Sequence, residues 1–425
     1  MTAMPFLSAR FLLSCCLSLP LLSACGELAG GREQPALAGD AVAAEYIGHD
    51  ESSGSVSGDT AARSAASLTA GEWLAGDLHL HSEHSLDSSA NPVAKIIATA
   101  QAAGLHFLGI TDHDNHVDGD VAHHTWLDPS FLSSPLIMLY GAEWTTHRGH
   151  GNTFSDRPYD HQTLYDLRDA KDVLIGEHVA QEGIHLSANH PTGADHFGFS
   201  YDLVRSVEVW QTAIWNSGSN ASALTVWDDM MKSGRKLTAR GGSDSHHGLP
   251  AAGEQPSENS FQALGNYVGT PTTWVFARER SATAVVEALN NGRVSISANP
   301  YSPRVELTAD VDADGVADAM MGDNIAASGQ PVTFRVEMVG AGAALLPYRV
   351  DVIRDGAALT SLTIAPGQSA VTFSDTPAPD QRHFYRVEVQ GAPALYPEVP
   401  GSLAVGGLMV ALSNPIFFNF PVAQE

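Results

Sequence analysis

Asp77-Leu78-His79-Leu80-His81-Ser82 leads into Pro92-Val-Ala-Lys-Ile-Ile-Ala-Thr-Ala-Gln-Ala-Ala-Gly104 and then into Phe107-Leu-Gly-Ile-Thr111. Leu78–His81 alternates apolar and polar residues, which predicts a strand. The middle segment opens on a proline, whose fixed φ suits a first helical turn, and stops at a glycine. Phe107–Thr111 is a short apolar run and reads as the next strand. Working outward, strand-like runs recur at Leu136–Glu143, His185–Ala188, Val207–Trp210, Leu237–Ala239 and Thr272–Ala277. Helix-like stretches fall between several of them, at Leu164–Glu182, Ala221–Lys232 and Ala282–Asn290. Alternation of this kind over residues 71–300 predicts an α/β sheet or barrel. After residue 301 the helical period disappears, and Val332–Met338, Tyr348–Ile353 and Phe384–Val389 alternate between Gly, Pro and Asp turns. That pattern predicts a small antiparallel β-sandwich over 301–425, an accessory unit.

The whole chain has 425 residues, 44% of them hydrophobic, with 22 Lys+Arg against 48 Asp+Glu and a net charge of −26. The hydrophobic share excludes whole-chain disorder, and the acidity argues against nucleic acid, because phosphate binding needs a basic face. Three cysteines, Cys15, Cys16 and Cys25, all lie in the first 25 residues, so the later domains hold no disulfide and no thiolate metal site. Residues 1–25 have the form of an export signal: Arg10, an apolar run Phe11–Leu22, then small residues. The run is shorter than the ~20 residues of a spanning helix, so it reads as a cleaved leader. Its end, Leu22-Ser-Ala-Cys25-Gly26, resembles a bacterial lipoprotein box, which implies a lipid anchor at Cys25 and a place on the periplasmic face of the outer membrane. Residues 26–70, rich in Gly, Ala and Ser, read as a flexible tether.

Of 19 histidines, all but His49 and His383 fall between His79 and His247. Their spacing is informative. His79 and His81 share one face of an extended segment and can offer two imidazoles to one ion. Gly109-Ile-Thr-Asp-His113-Asp114 ends an apolar run in a histidine, Gly141-Ala-Glu143-Trp-Thr-Thr-His-Arg148-Gly-His150 offers a carboxylate then a histidine, and Ser187-Ala-Asn-His190-Pro191 closes another strand. Gly241-Gly-Ser-Asp244-Ser-His246 adds an Asp and a His at i and i+2. Five clusters of oxygen and imidazole donors at strand ends predict one metal site at the rim of the sheet.

In order and kind these clusters resemble the motifs of the PHP (polymerase and histidinol phosphatase) metallohydrolase family. The leader, the Gly141–Asn152 segment, the C-terminal strands and Asn414-Pro-Ile416 are most similar to its CehA/McbA-like, carbaryl-hydrolase branch. The resemblance implies a distorted TIM-like barrel with two or three divalent ions (Zn, Mn or Fe) at its mouth. His79 and His81 would ligate one ion, and Glu143 would bridge to a second. His113, His150 and His190 would fill other positions, and Asp244 and His246 would close the cluster. Asp87 would be the third-metal ligand, with Glu83 or His84 as alternatives. A metal-activated hydroxide would then attack a small phosphoester, Glu143 and Asp244 acting in catalysis. The leaving oxygen would be met by a metal, by His84, His147 or His247, or by Arg148. A carboxyl ester or carbamate hydrolase and a non-catalytic metal-binding lipoprotein are the competing readings.

Three further features stand apart. Glu208 alternates within Ser206–Trp210 and either orients a ligand or is structural. Trp144, Trp210 and Trp215 either line a pocket or pack. Asp310-Val-Asp312-Ala-Asp314-Gly-Val-Ala-Asp318 resembles a calcium loop, but Met321 stands where an EF-hand carries its bidentate Glu.

Overall fold

The computed structural model describes residues 70–212, 218–247, 267–396 and 409–421, together with Leu68 and Trp215. The leader, Cys25 and nearly all of the tether lie outside these residues. No helix among the described residues is long and apolar enough to cross a membrane.

Ten strands build the first part of the chain: β1 Glu72–Asp77, β2 Phe107–Gly109, β3 Ile137–Leu139, β4 Glu143–Thr146, β5 Gly149–Phe154, β6 His185–Ala188, β7 Ser206–Gln211, β8 Thr238–Gly242, β9 Thr272–Ala277 and β10 Val294–Ser297. Helices Val93–Ala102, Asp172–Glu182, Ser219–Lys232 and Ala282–Asn290 alternate with them. Gly104 and Gly292, at φ +79° and +71°, terminate two of these helices in a conformation that suits glycine. The expected helix Leu164–Glu182 is two, His161–Asp166 and Asp172–Glu182, joined by a single 3-10 turn at Leu167–Asp169 whose Leu167 packs on the core. The first strand also lies earlier than the alternation predicts. Its ladder with β9 ends at Gly76 and its ladder with β2 at Asp77, and His79 and His81 sit in the extended segment beyond.

Strands β4 to β8 form a five-stranded sheet in sequence order, with β6, β7 and β8 parallel. Strands β10, β9, β1, β2 and β3 run consecutively in a second, larger sheet. The two ladders are separate, and isolated bridges link them at Leu80–Ser245, His113–Glu143 and Tyr140–Ser155. The α/β class is therefore present as mixed sheets tied by bridges.

The remaining strands are β11 Arg304–Asp310, β12 Ala319–Met320, β13 Asn324–Ile325, β14 Val332–Val339, β15 Tyr348–Arg354, β16 Ala357–Ile364, β17 Ala370–Asp375, β18 His383–Gln390, β19 Met409–Ser413 and β20 Ile416–Phe418. An antiparallel sheet β12-β11-β14-β17 packs through Leu307, Phe334 and Val336 against Val350, Tyr385, Val387 and Phe418 of the larger sheet. One pair, β13 with β20, is parallel. The change of character at residue 301 is not a gap in packing: β19 pairs antiparallel with β10, and Phe384, Leu412 and Phe417 join the α/β core. Arg386 also meets Asp228 with two parallel bonds of 2.9 and 2.8 Å, both groups buried.

Candidate metal centre

Backbone bonds set the ligands in register. Leu80 bridges Ser245, so His81 N donates to Ser245 O at 2.8 Å and Asp244 N to His79 O at 2.7 Å. This places His79 and His81 opposite Asp244 and His246. Glu143 N donates to Asp112 O at 3.0 Å, which sets Glu143 beside His113. His150 on β5 and His190 beyond β6 approach from the other sheet. His190 and Asp244 hold φ values of +24° and +52°, uncommon for residues with a side chain.

Glu143 is the hub. Its Oε1 lies 3.2 Å from His150 Nδ1, 3.2 Å from His190 Nε2 and 3.4 Å from His79 Nε2, and its Oε2 lies 3.0 Å from His113 Nδ1 and 3.5 Å from His81 Nε2. Asp244 Oδ1 is 3.1 Å from His81 Nε2 and 3.3 Å from His79 Nε2, while its Oδ2 accepts from Gln211 at 2.7 Å. Four triads result: His79–Glu143–His190, His79–His81–Asp244, His113–Glu143–His150 and His81–His113–His246. Asp87 adds an oxygen 3.4 Å from His113 Nε2 and 3.5 Å from His246 Nε2. Side-chain exposure rises from 0% at His79 and His81 to 45% at Asp87, so the cluster opens to solvent on the Asp87 side.

The residues fit divalent ions. Within the cluster, two buried ring nitrogens, His79 Nε2 and His81 Nδ1, have no hydrogen-bond partner among the described residues. Buried polar atoms are rarely left so. A set of imidazoles and carboxylates without thiolates suits Zn, Mn or Fe. Electrostatics agree. Burial pushes the Glu143 carboxyl up, but His79 and His113 outweigh it and hold it well below its usual range. Asp244 behaves alike, burial being overcome by His79, His81 and His246. Burial depresses His113, yet Glu143 and Asp87 bring it up to about 10; His81, dominated by burial and then by His246 and His113, falls to about 4. In the metal-free protein, protons on His79 and His113 thus balance the carboxylates, a role that bound cations would take over.

Several candidates land elsewhere. Arg148 is not in the cluster: its guanidinium donates to Asp172 at 2.6 Å and to Ala170 O at 3.1 Å and stacks 3.9 Å above Phe199. His147 is exposed and paired with Asp169, and His84 pairs with Asp128, which leaves Asp87 as the member of that loop beside His113. Glu83 is exposed. Trp144 and Trp210 are fully buried and pack against Phe199 and Trp215, so they line no open pocket. In the distant turn, Asp310, Asp312 and Asp318 form a compact triad, but Asp310 accepts its own loop's N–H groups from Ala313 and Gly315.

A support layer lies beneath. Glu208 Oε1 receives His79 Nδ1 at 2.8 Å and Arg240 Nη1 at 2.9 Å, and Asn189 Nδ2 donates to Glu143 Oε1 at 2.8 Å. Burial raises the Glu208 carboxyl, and His79 and Arg240 reverse this and keep it low. Asp112 ties the Ser82–Ser85 loop by accepting from Ser82 N, Ser82 Oγ and Ser85 Oγ. His116 accepts from Leu86 N and steadies the loop that carries Asp87. Of this layer, Glu208 alone was among the candidates. Arg240 carries a signal, since a charged residue inside an otherwise uncharged strand segment just before Asp244 needs buried partners.

Residues 77–168 match the PHP domain. The PHP stretch contains His79, His81, Asp87, His113, Glu143 and His150, whereas His190, Asp244 and His246 lie beyond it. No curated protein matches the chain. Among solved structures, a two-domain protein from Bacteroides vulgatus containing a predicted PHP-like metal-dependent phosphoesterase is similar over 75% of this chain and 91% of its own, with 17% identity and a TM-score of 0.38.

Proposed function

We propose that this chain is a metal-dependent hydrolase of small phosphoesters, acting at two or three divalent ions held by His79, His81, Asp87, His113, Glu143, His150, His190, Asp244 and His246. The observation that carries the reading is the merging of four ligand triads through shared members into one cluster. The PHP match favours phosphoester over carboxyl ester chemistry. Bound divalent ions would act as Lewis acids and lower the pKa of a shared water. The chain's own residues supply the rest. Glu143 joins the two halves of the cluster, Asp244 is held by Gln211, and the open Asp87 side admits the substrate. The finer reading places the protein in the CehA/McbA-like branch. Export by the leader, lipidation at Cys25 and a periplasmic position on the outer membrane complete it.

The experiment is hydrolysis of p-nitrophenyl phosphate, bis-p-nitrophenyl phosphate and p-nitrophenyl acetate after chelation and addition of Mn, Zn or Fe, with His79→Ala as control. Metal-dependent phosphoester turnover absent from the control is the expected result. Turnover of the acetate alone would replace this reading with the carboxyl ester and carbamate one. No turnover by protein that binds metal stoichiometrically would favour a metal-binding lipoprotein.

A further inference from the structure

Arg240 is fully buried in β8, on the face shared with Gly242 and two residues before the strand gives way to Asp244. A buried guanidinium persists only where its N–H groups are satisfied. Here Nε donates to Ser187 Oγ at 2.6 Å, Nη1 to Glu208 Oε1 at 2.9 Å and Nη2 to Asn189 Oδ1, with the Phe154 ring 5.5 Å away. One side chain thus spans β8, β7 and the end of β6 directly under the cluster.

We propose that Arg240 is a positioning residue for the metal cluster, locking Glu208 and Asn189 so that these present the His79 ring and the Glu143 carboxylate as ligands. The proposal rests on the metal-site reading above. Its logic is hydrogen-bond polarity. An arginine only donates, so Asn189 must turn its carbonyl toward Arg240, and its amide N–H is then left for Glu143 Oε1 at 2.8 Å. Asn152 N, donating to the same carbonyl at 3.1 Å, agrees with that orientation. An ionised Glu208 only accepts, so His79 Nδ1 keeps a proton for it, and Nε2 is the nitrogen left to offer its lone pair once an ion takes the place of the other proton. Glu208 Oε2 also accepts from His190 N at 3.0 Å, which fixes a third ligand's backbone. A lysine would keep the charge but not the planar fork that serves three acceptors at once. The packing is tight: a Cβ on Gly242 would sit 2.4 Å from both Glu208 Oε1 and His79 Cβ.

The test compares the full-length wild type with Arg240→Met, Arg240→Lys and Glu208→Gln. Zn or Mn affinity is measured by competition with a chromophoric chelator, and melting temperature with and without metal. Arg240→Met is expected to weaken binding by about 10–100-fold, the usual cost of removing a ligand's outer support. Arg240→Lys should recover only part of this. Adding Glu208→Gln to Arg240→Lys should cost less than the sum of the single losses, because both act through His79. The melting-temperature gain from metal should shrink, whereas a merely structural arginine would lower both melting points equally. Arg240→Met that folds and binds within about two-fold of wild type would overturn the proposal and leave the metal reading intact. If Arg240→Met does not fold, unchanged affinity in Arg240→Lys overturns it. A wild type that binds no metal would overturn the underlying reading instead.

Discussion

Asn414 is where the C-terminal strands reach the ligand-bearing sheet, and its removal has a calculable cost. Strand β8 is the outer strand of its sheet, so Ala239 would present a bare N–H and C=O beside Arg240. Asn414 takes both, Oδ1 accepting from Ala239 N at 2.8 Å and Nδ2 donating to Ala239 O at 2.9 Å and Val294 O at 3.0 Å. The side chain is fully buried, so bulk water does not reach these groups in Asn414→Ala. Val294 O keeps the backbone N–H of Asn414 at 3.2 Å, which leaves two orphaned groups on Ala239. At about 1–3 kcal/mol for each unsatisfied buried group, the expected loss is about 2–6 kcal/mol. Asn414→Asp has the same shape but sets an acceptor against two carbonyl oxygens, and should lose at least as much. Urea unfolding followed by tryptophan fluorescence reads the change as a lower midpoint at constant slope. A loss below about 1 kcal/mol in both variants would refute the clamp.

Glu143→Gln keeps the shape of the hub but not its charge. Metal affinity should fall by more than the ~10–100-fold typical of a group that only supports a ligand, and phosphoester turnover should vanish while circular dichroism is unchanged. Retained turnover would remove Glu143 from the cluster. Gly242→Ala forces a Cβ against Glu208 and His79 and should cost about 1–3 kcal/mol by overpacking, with a further loss of metal affinity that calorimetric titration would show. The pH dependence follows from His113. Burial lowers it, but Glu143 and Asp87 raise it to about 10, above the ordinary value of about 6.5. In metal-free protein its stabilisation is complete below about 6.5 and is lost as pH rises through about 10. An ion must displace that proton, so metal affinity should climb across the same window. A flat affinity over that range, measured by chelator competition, would contradict this.

The grouping of the cluster's members was legible because strand parity is local: His79 with His81, and Asp244 with His246, need only i and i+2 to be read together. The α/β alternation was legible for the same reason. The position of the first strand was not, since its ladders stop where the chain leaves the sheet to present His79, a decision made by β9 and β2. The pairing of Arg148 was not legible, because its partner Asp172 lies 24 residues away, across a helix break that no periodicity announces. Arg240 and Asn189 acquire meaning only through each other, 51 residues apart. Nor could alternation in Phe384–Val389 reveal that β18 and β19 extend the same sheet as β10, because edge pairing between units leaves no pattern in either one.

The central claim is a catalytic metal cluster built on Glu143. Chelated protein should be titrated with Mn, Zn or Fe while bound metal and p-nitrophenyl ester turnover are read from the same samples. The account predicts that turnover is absent in the apo-protein, appears as ions fill the cluster, and is missing at every metal level in His79→Ala. Full turnover by protein shown to hold no metal, or turnover unchanged in His79→Ala, would contradict it.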